Sequence, residues 1–401
     1  MHIAIIWTKF LPYHIARIRH LRKRLAEQGH TLTAIEVASK DALYPFPEEA
    51  GSQDENYLCV FSGASYRKLP PLTMNSRIFK VLQKVDPDVL IGPATPFPSG
   101  MAAIHYALRY HRFSIMMDDA WEYSDRRGKI IRTIKRLLHS NVDVAFIPAP
   151  SHAQYYQQMA FPPDRIVYGV DVVDNDFFSN GAEIARRNAT GMRRDLHLPE
   201  NYFLFVGRLI ERKGVRTLLT AYMKYSAALG KDAWNLVIIG DGEEQCEYES
   251  IVRDHPGIHF IGGIFGNELP QYYGLAKAFI LPSTTETWGL VANEALASGL
   301  PILISSGCGC AKTLVETGKN GWVFPPGDDR KLADGLAALS SLSSDEWKAM
   351  SNRSKEIIDR WSLDTFAESV LKAIQMPRRP RNNYIANAMT YLWRGRISFY
   401  P

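Results

Sequence analysis

A chain of 401 residues with 46% hydrophobic and 22% charged content can bury two ordinary cores, so two domains are expected. No stretch approaches the ~20 consecutive apolar residues that span a bilayer, and "MHIAIIWTKF" lacks the basic lead and small-residue cleavage site of a secretory signal, which points to a cytoplasmic protein. The net charge of +5 is mild, and four unevenly spaced cysteines (Cys59, Cys246, Cys308, Cys310) argue against a disulfide framework and fit a reducing compartment.

In chain order, the first half alternates strand-like and helical stretches. "HIAIIWT" reads as a strand, and "YHIARIRHLRKRLAEQGH" as a helix whose Ile15, Ile18, Leu21 and Leu25 form a buried stripe. The same helix carries Arg17, Arg19, Arg22, Lys23 and Arg24. "TLTAIEVA", "DVLIGPA" and "FSIMMDD" are further strands, and the second basic helix "DRRGKIIRTIKRLLHS" leads to "DVAFIPAP" and "RIVYGVDV". These two basic faces have a plain reading as solvated surface. The sharper reading is that they dock on anionic lipid headgroups or an anionic acceptor, a peripheral membrane contact. Nucleic acid is disfavoured, because no interleaved exposed aromatics or recognition motif accompany the charges.

The polar, punctuated stretch "FFSNGAEIARRNATGMRRDLHLPEN" reads as the joint between domains. Beyond it "YFLFVGR", "WNLVIIGD", "IHFIGGI", "AFILPS" and "LPILISS" repeat the βα alternation, so each half predicts a doubly wound parallel sheet. The expected fold is α/β, two Rossmann-like domains facing a cleft, divided as 1–178, a joint at 179–200, 201–365, and a C-terminal segment at 366–401 packing back on the first domain.

Chemistry concentrates in the second half. In "FVGRLIERKG" a strand ends at Val206, Gly207 allows a tight exit, and Arg208 and Lys213 flank a short loop, a pattern suited to a diphosphate. A basic loop of this kind is also often only solvated. "LVIIGDGEE" adds a glycine turn, but no G-x-G-x-x-G follows a strand, and NAD is disfavoured. In "STTETWGLVANEALASG", Glu286 stands in the turn beyond "AFILPS", where open α/β sheets bind ligands. Gly289 would let that turn approach a ligand, and Glu294 follows on the next helix, on a stripe with Leu290 and Ala297. Cys308-Gly-Cys310 reads as a glycine-rich loop in preference to a metal clip, since no His or Cys cluster completes it.

Taken in order, "FVGRLIERKG", "LVIIGDGE", "IHFIGGI", "LPSTTETWGLVANEALASGLPILIS" and "ETGKNGWVFPPGD" resemble the C-terminal domain of family-4 retaining glycosyltransferases with the GT-B fold. The resemblance covers about residues 200 to 370, and its E-x7-E element, Glu286 to Glu294, is the most diagnostic part. It implies a metal-independent hexosyl transfer from a UDP- or GDP-sugar to a glycan, lipid-linked or small-molecule hydroxyl, as in polysaccharide biosynthesis, with no bound cofactor. Carried onto this sequence, Glu294 would accept both ribose hydroxyls, Glu286 would hold a donor-sugar hydroxyl, and Arg208 and Lys213 would neutralise the diphosphate. Gly207, Gly240, Ile264, Gly289 and Leu290 would line the nucleotide. Two features depart from the family. The first strand-to-helix loop has Lys9 and His14 but no glycine, and Asp118, followed by Asp119 and Trp121, stands where relatives often carry histidine. Asp118 would accept a hydroxyl proton or cap the following helix; His14 would be a local cap or acceptor contact. A nucleotide-sugar epimerase and a non-catalytic nucleotide-sugar-binding module are the rival readings.

Overall fold

Short apolar runs pair into two all-parallel sheets. The computed structural model describes residues 1–41, 56–124, 128–253 and 255–395; Arg126 and Arg127 of the second basic stretch, and residues 396–400 of the C-terminal "TYLWRGRISFY", lie outside the described residues. The chain divides into two units: Met1–Val172 with Leu363–Pro401, and Val173–Ser362.

The first unit holds β1 (His2–Trp7), β2 (Thr31–Lys40), β3 (Tyr57–Ser65), β4 (Val89–Pro93), β5 (Phe113–Met117), β6 (Val144–Ile147) and β7 (Ile166–Tyr168), in the order 3-2-1-4-5-6-7. The second holds β8 (Tyr202–Val206), β9 (Asn235–Ile239), β10 (Ile258–Gly262), β11 (Ala278–Leu281), β12 (Ile302–Ser305) and β13 (Gly321–Phe324), in the order 10-9-8-11-12-13. The central strands are buried throughout, as expected of parallel sheets covered by helices on both faces. One core gathers Phe203, Phe205, Ile238 and Leu303 under Leu218 and Tyr222 of the helix Val215–Leu229. Each sheet has one switch point where strand order reverses: between β1 and β4, and between β8 and β11.

Three sequence expectations are corrected. First, each sheet has one more strand than the sequence suggests, β3 and β13, both edges. An edge strand has a single paired neighbour, so its run is short or mixed in polarity: β3 buries little of its length and β13 has four residues. Second, the stretch 179–200, expected as the joint between domains, is largely helical and lies inside the second unit. It runs through the helices Asn175–Arg187 and Ala189–Asp195, the first capped by Asp174, whose side chain accepts from the Phe177 N–H at 3.0 Å, and packed on the helix Leu269–Leu275. The division between units falls at Val172/Val173 instead. Third, Arg17 does not belong to a solvated basic face. It is 2% exposed, and its Nε and Nη2 donate to the Val172 carbonyl at 2.9 and 2.7 Å with Asp171 at 3.8 Å. Burial lowers its guanidinium pKa and Asp171 opposes that shift. On the same helix, Arg24 pairs with Asp364 and Glu27.

The C-terminal return begins at Leu363. Its helix Leu363–Ile374 buries Phe366, whose ring lies 5.0 Å from Phe146 and 6.5 Å from Trp7. Among the described residues, no helix is long and apolar enough to cross a membrane.

Candidate functional site

The switch point of the second sheet is where the two charged sequence elements meet. The loop after β8 carries Arg208, Arg212 and Lys213; the loop after β11 carries Glu286. They are joined by backbone, because the Thr284 N–H donates to the Arg212 carbonyl at 2.9 Å. Gly214 makes the join possible. Its φ is +68°, and a Cβ there would fall 2.1 Å from the Pro282 carbonyl oxygen. Gly240 is needed for the same reason on the other side: φ is +136°, and a Cβ would fall 1.9 Å from the Gly207 carbonyl oxygen.

Glu286 is buried, and backbone holds it from both sides. Its N–H donates to the Gly307 carbonyl at 3.0 Å and its carbonyl accepts from the Gly309 N–H at 3.1 Å. Its carboxylate accepts a hydrogen bond from the Lys213 ammonium on Oε2 and faces the Arg212 guanidinium at 3.5 Å on Oε1. Burial pushes this carboxyl up, but Lys213, Arg212 and Arg208 together outweigh burial and hold it below its ordinary value. The site therefore pairs an ionised carboxylate with a cluster of cations. Cys308, bridged to Glu286 in the next loop, has its thiol pushed well up by burial and stays protonated.

Gly289, with φ at +107°, starts the helix Leu290–Ala297, and Glu294 lies on that helix. Its Oε2 accepts from the Tyr273 hydroxyl at 2.7 Å. Burial pushes the Glu294 carboxyl up to about 7, and the Tyr273 hydrogen bond only partly opposes it. Tyr273 is itself fully buried and wedged between Phe178 and Phe279. The two glutamates thus have opposite electrostatics: one is kept charged by its neighbours, the other is poised near neutrality.

Among the sequence-derived residues, the structure brings Lys213 and Glu286 into contact, with Arg208 close enough to act on the same carboxylate. Gly207 and Gly240 close the ends of β8 and β9, Gly289 and Leu290 open the helix that bears Glu294, and Ile264 lies two residues past β10. Two participants were missed. Arg212 sits next to Lys213 inside the "ERK" triplet, where neighbouring cations look alike in sequence; Tyr273 comes from a distant helix with no signal of its own. Among the described residues, no group of three His, Cys, Asp or Glu side chains could hold a metal ion.

In the first unit, Asp118 follows β5. The helix-cap role is not what the structure shows: the next helix, Lys129–His139, starts well downstream behind Gly128. Instead the Asp118 Oδ1 accepts weakly from the Ala120 N–H at 3.4 Å, and its charge adds to burial in raising the Asp171 carboxyl to about 6, against Arg17. His14 is a local cap, with Nδ1 accepting from the Leu11 N–H at 3.1 Å and its ring stacked 4.6 Å from that of Trp7. Burial lowers its pKa well below the usual histidine range. Lys9, on the glycine-free loop after β1, is buried.

The comparisons with known proteins bear on the unit that carries the cation-carboxylate cluster. Residues 192–357 match the family model described as glycosyl transferases group 1. That match lies within the second unit and covers less than half of the chain. Among curated relatives, the chain is 29% identical over 195 residues to an uncharacterized glycosyltransferase of Methanocaldococcus jannaschii, 47% of each protein. It is 28% identical over 256 residues to a GDP-mannose-dependent alpha-(1-6)-phosphatidylinositol monomannoside mannosyltransferase of Mycobacterium tuberculosis, 59% of this chain and 63% of that one. The matches thus span about half to under two thirds of these curated relatives. Among solved structures, a glycosyltransferase from Rickettsia africae superposes with a TM-score of 0.72 at 16% identity, covering 92% of this chain and 97% of that one. Anabaena HepE, solved with UDP and glucose, superposes with a TM-score of 0.71 at 13% identity, covering 94% and 99%. At these identities the superpositions show the fold: the chain is an α/β protein of the GT-B type.

Proposed function

We propose that this protein is a glycosyltransferase that takes a sugar from a UDP- or GDP-sugar and passes it, with retention at the anomeric carbon, to a hydroxyl of a glycan, lipid-linked or small-molecule acceptor. The observation that carries the reading is Glu286 enclosed by Lys213 and Arg212, with Arg208 alongside, at the switch point of a parallel sheet. Relatives named for GDP-mannose and a neighbour solved with UDP support a nucleotide-sugar donor.

In this reading the two glutamates divide the neutral parts of the donor between them. Glu294 accepts both ribose hydroxyls, which a carboxylate matches with its two oxygens, and Glu286 accepts from a sugar hydroxyl. An ammonium offers three protons, so Lys213 can hold Glu286 and still donate to the diphosphate. Arg208 and Lys213 then stabilise the charge that builds on the leaving diphosphate as the glycosidic bond breaks. With this charge in place the transfer needs no divalent ion, and no protein nucleophile is required: the leaving diphosphate takes the acceptor proton. Asp118 would accept a hydrogen bond from the sugar or the acceptor.

The test is turnover with a set of nucleotide sugars and simple sugar acceptors, with the product read by NMR. Acceptor-dependent release of nucleoside diphosphate, an unchanged anomeric configuration and activity that survives EDTA are expected. Diphosphate release that ignores the acceptor, with the sugar inverted at one carbon while still attached, would replace this reading with that of an epimerase.

A further inference from the structure

The helix Tyr384–Leu392 is apolar on its exposed side as well as on the side packed against the core. Asn383 caps it, accepting from the Ala386 N–H at 3.0 Å. On its inner side Ala386 and Thr390 are buried, and the Thr390 hydroxyl accepts from Asn141 Nδ2 at 2.9 Å. The outer side, at the spacing of one helical face, is Tyr384, Ile385, Ala388, Tyr391 and Leu392, all exposed. Tyr384 is 86%, Ile385 68% and Leu392 77% accessible. A surface helix normally turns polar residues there, and a contiguous apolar stripe marks a contact surface. The helix Lys129–His139 packs beside it and adds Ile130, 78% exposed, and Ile131.

Charge identifies what fits this face. Residues 128–141 and 377–395 together carry eight Lys or Arg and no Asp or Glu. Some of these cations turn inward: Lys135 is buried, and Arg379 and Arg381 are spent on main-chain carbonyls and Asp143. Lys129, Arg136 and Arg378 are exposed, and Arg132 and Arg394 are half-buried. A second copy of the chain would set like charges against each other across a two-fold contact. An apolar stripe bordered by these cations matches a bilayer with anionic headgroups, where the two contributions together give stable attachment that neither gives alone.

We propose that this face of the first unit docks on an anionic lipid surface, with the helix Tyr384–Leu392 lying in the interface plane. The inference stands apart from the donor site. The test is flotation of the full chain with vesicles of phosphatidylcholine alone and of phosphatidylcholine mixed with phosphatidylglycerol, beside the double variant Ile385→Asp, Leu392→Asp. Both replaced side chains are exposed, so the thermal midpoint should not move. Binding to the mixed vesicles only, weakened by salt and reduced about tenfold or more in the double variant, is the expected result. Absence of binding, equal binding to both vesicles, or binding untouched by the double variant overturns the proposal. So does a dimer in solution that the same variant disperses, which would make the stripe a protein interface.

Discussion

Removing Arg208 tests the phosphate end of the site. It acts electrostatically on Glu286 without being part of any core, so Arg208→Ala should leave the fold intact and lower turnover about 10²- to 10³-fold, the usual effect of losing one fixed charge donor. Steady-state kinetics with the thermal midpoint alongside would show it; unchanged turnover removes Arg208 from the mechanism. Glu294 makes a different prediction. Its carboxyl is raised from 4.5 to about 7, so the folded chain binds that proton more tightly than the unfolded chain does. Its contribution to stability is therefore full below about 4.5 and is lost as pH rises through 7. Glu294→Gln removes a charge held at a cost above that pH. Urea titrations should find the variant more stable by about 2 kcal/mol at alkaline pH and nearly unchanged in acid, while nucleoside diphosphate binding weakens about tenfold or more. Loss of stability at alkaline pH would show that the ionised carboxylate is well accommodated in the free protein. Residue by residue, the sequence exposed the charged groups whose spacing is local, Glu286 and Glu294, and hid those whose meaning depends on distant partners. Arg17 is the clearest case: along its helix it looks like one more surface cation, and only the Val172 carbonyl, 155 positions away, explains its burial.

At the scale of elements, the loop from Gly207 to Gly214 decides whether the cations reach Glu286. Gly214 has both a left-handed backbone and a carbonyl where a Cβ would go, so Gly214→Ala is expected to cost about 3 kcal/mol or more, since the loop must leave Pro282 to relieve the contact. Urea unfolding of the variant checks this; a loss under about 1 kcal/mol would mean that the loop shifts freely and does not fix Lys213. The central strands were legible because burial on both sides demands continuous apolar runs, as in "AFILPS" and "YFLFVGR". Of the four edges, β7 and β10 keep apolar runs that can be read, whereas β3 mixes exposed and half-buried positions along its length and β13 is only four residues with one of them exposed. The stretch 179–200 looked like a joint because its polar residues dominate, yet the buried residues of Asn175–Arg187, Phe178, Ala182 and Ala185, are enough to seat that helix.

For the molecule as a whole, the return of the chain at Leu363 means that the first unit is completed by residues from the far end of the sequence. Phe366, fully buried against Phe146 and Trp7, is the anchor of that return. Phe366→Ala should destabilise the first unit by about 3–5 kcal/mol and leave the second unit's unfolding nearly unchanged, separable by tryptophan fluorescence and circular dichroism during urea titration. A uniform loss across both transitions would show that the units unfold as one. The second unit carries the cation-carboxylate cluster around Glu286, and the first carries Asp118 and the apolar, cationic helix face. The most direct measurement of the central claim is calorimetric titration of UDP and GDP into the wild-type protein and Lys213→Ala. Saturable binding of one nucleotide, reduced about tenfold or more in the variant, is what a diphosphate held at the β8–β11 switch point requires. Binding of neither nucleotide, or equal binding by both proteins, would contradict it.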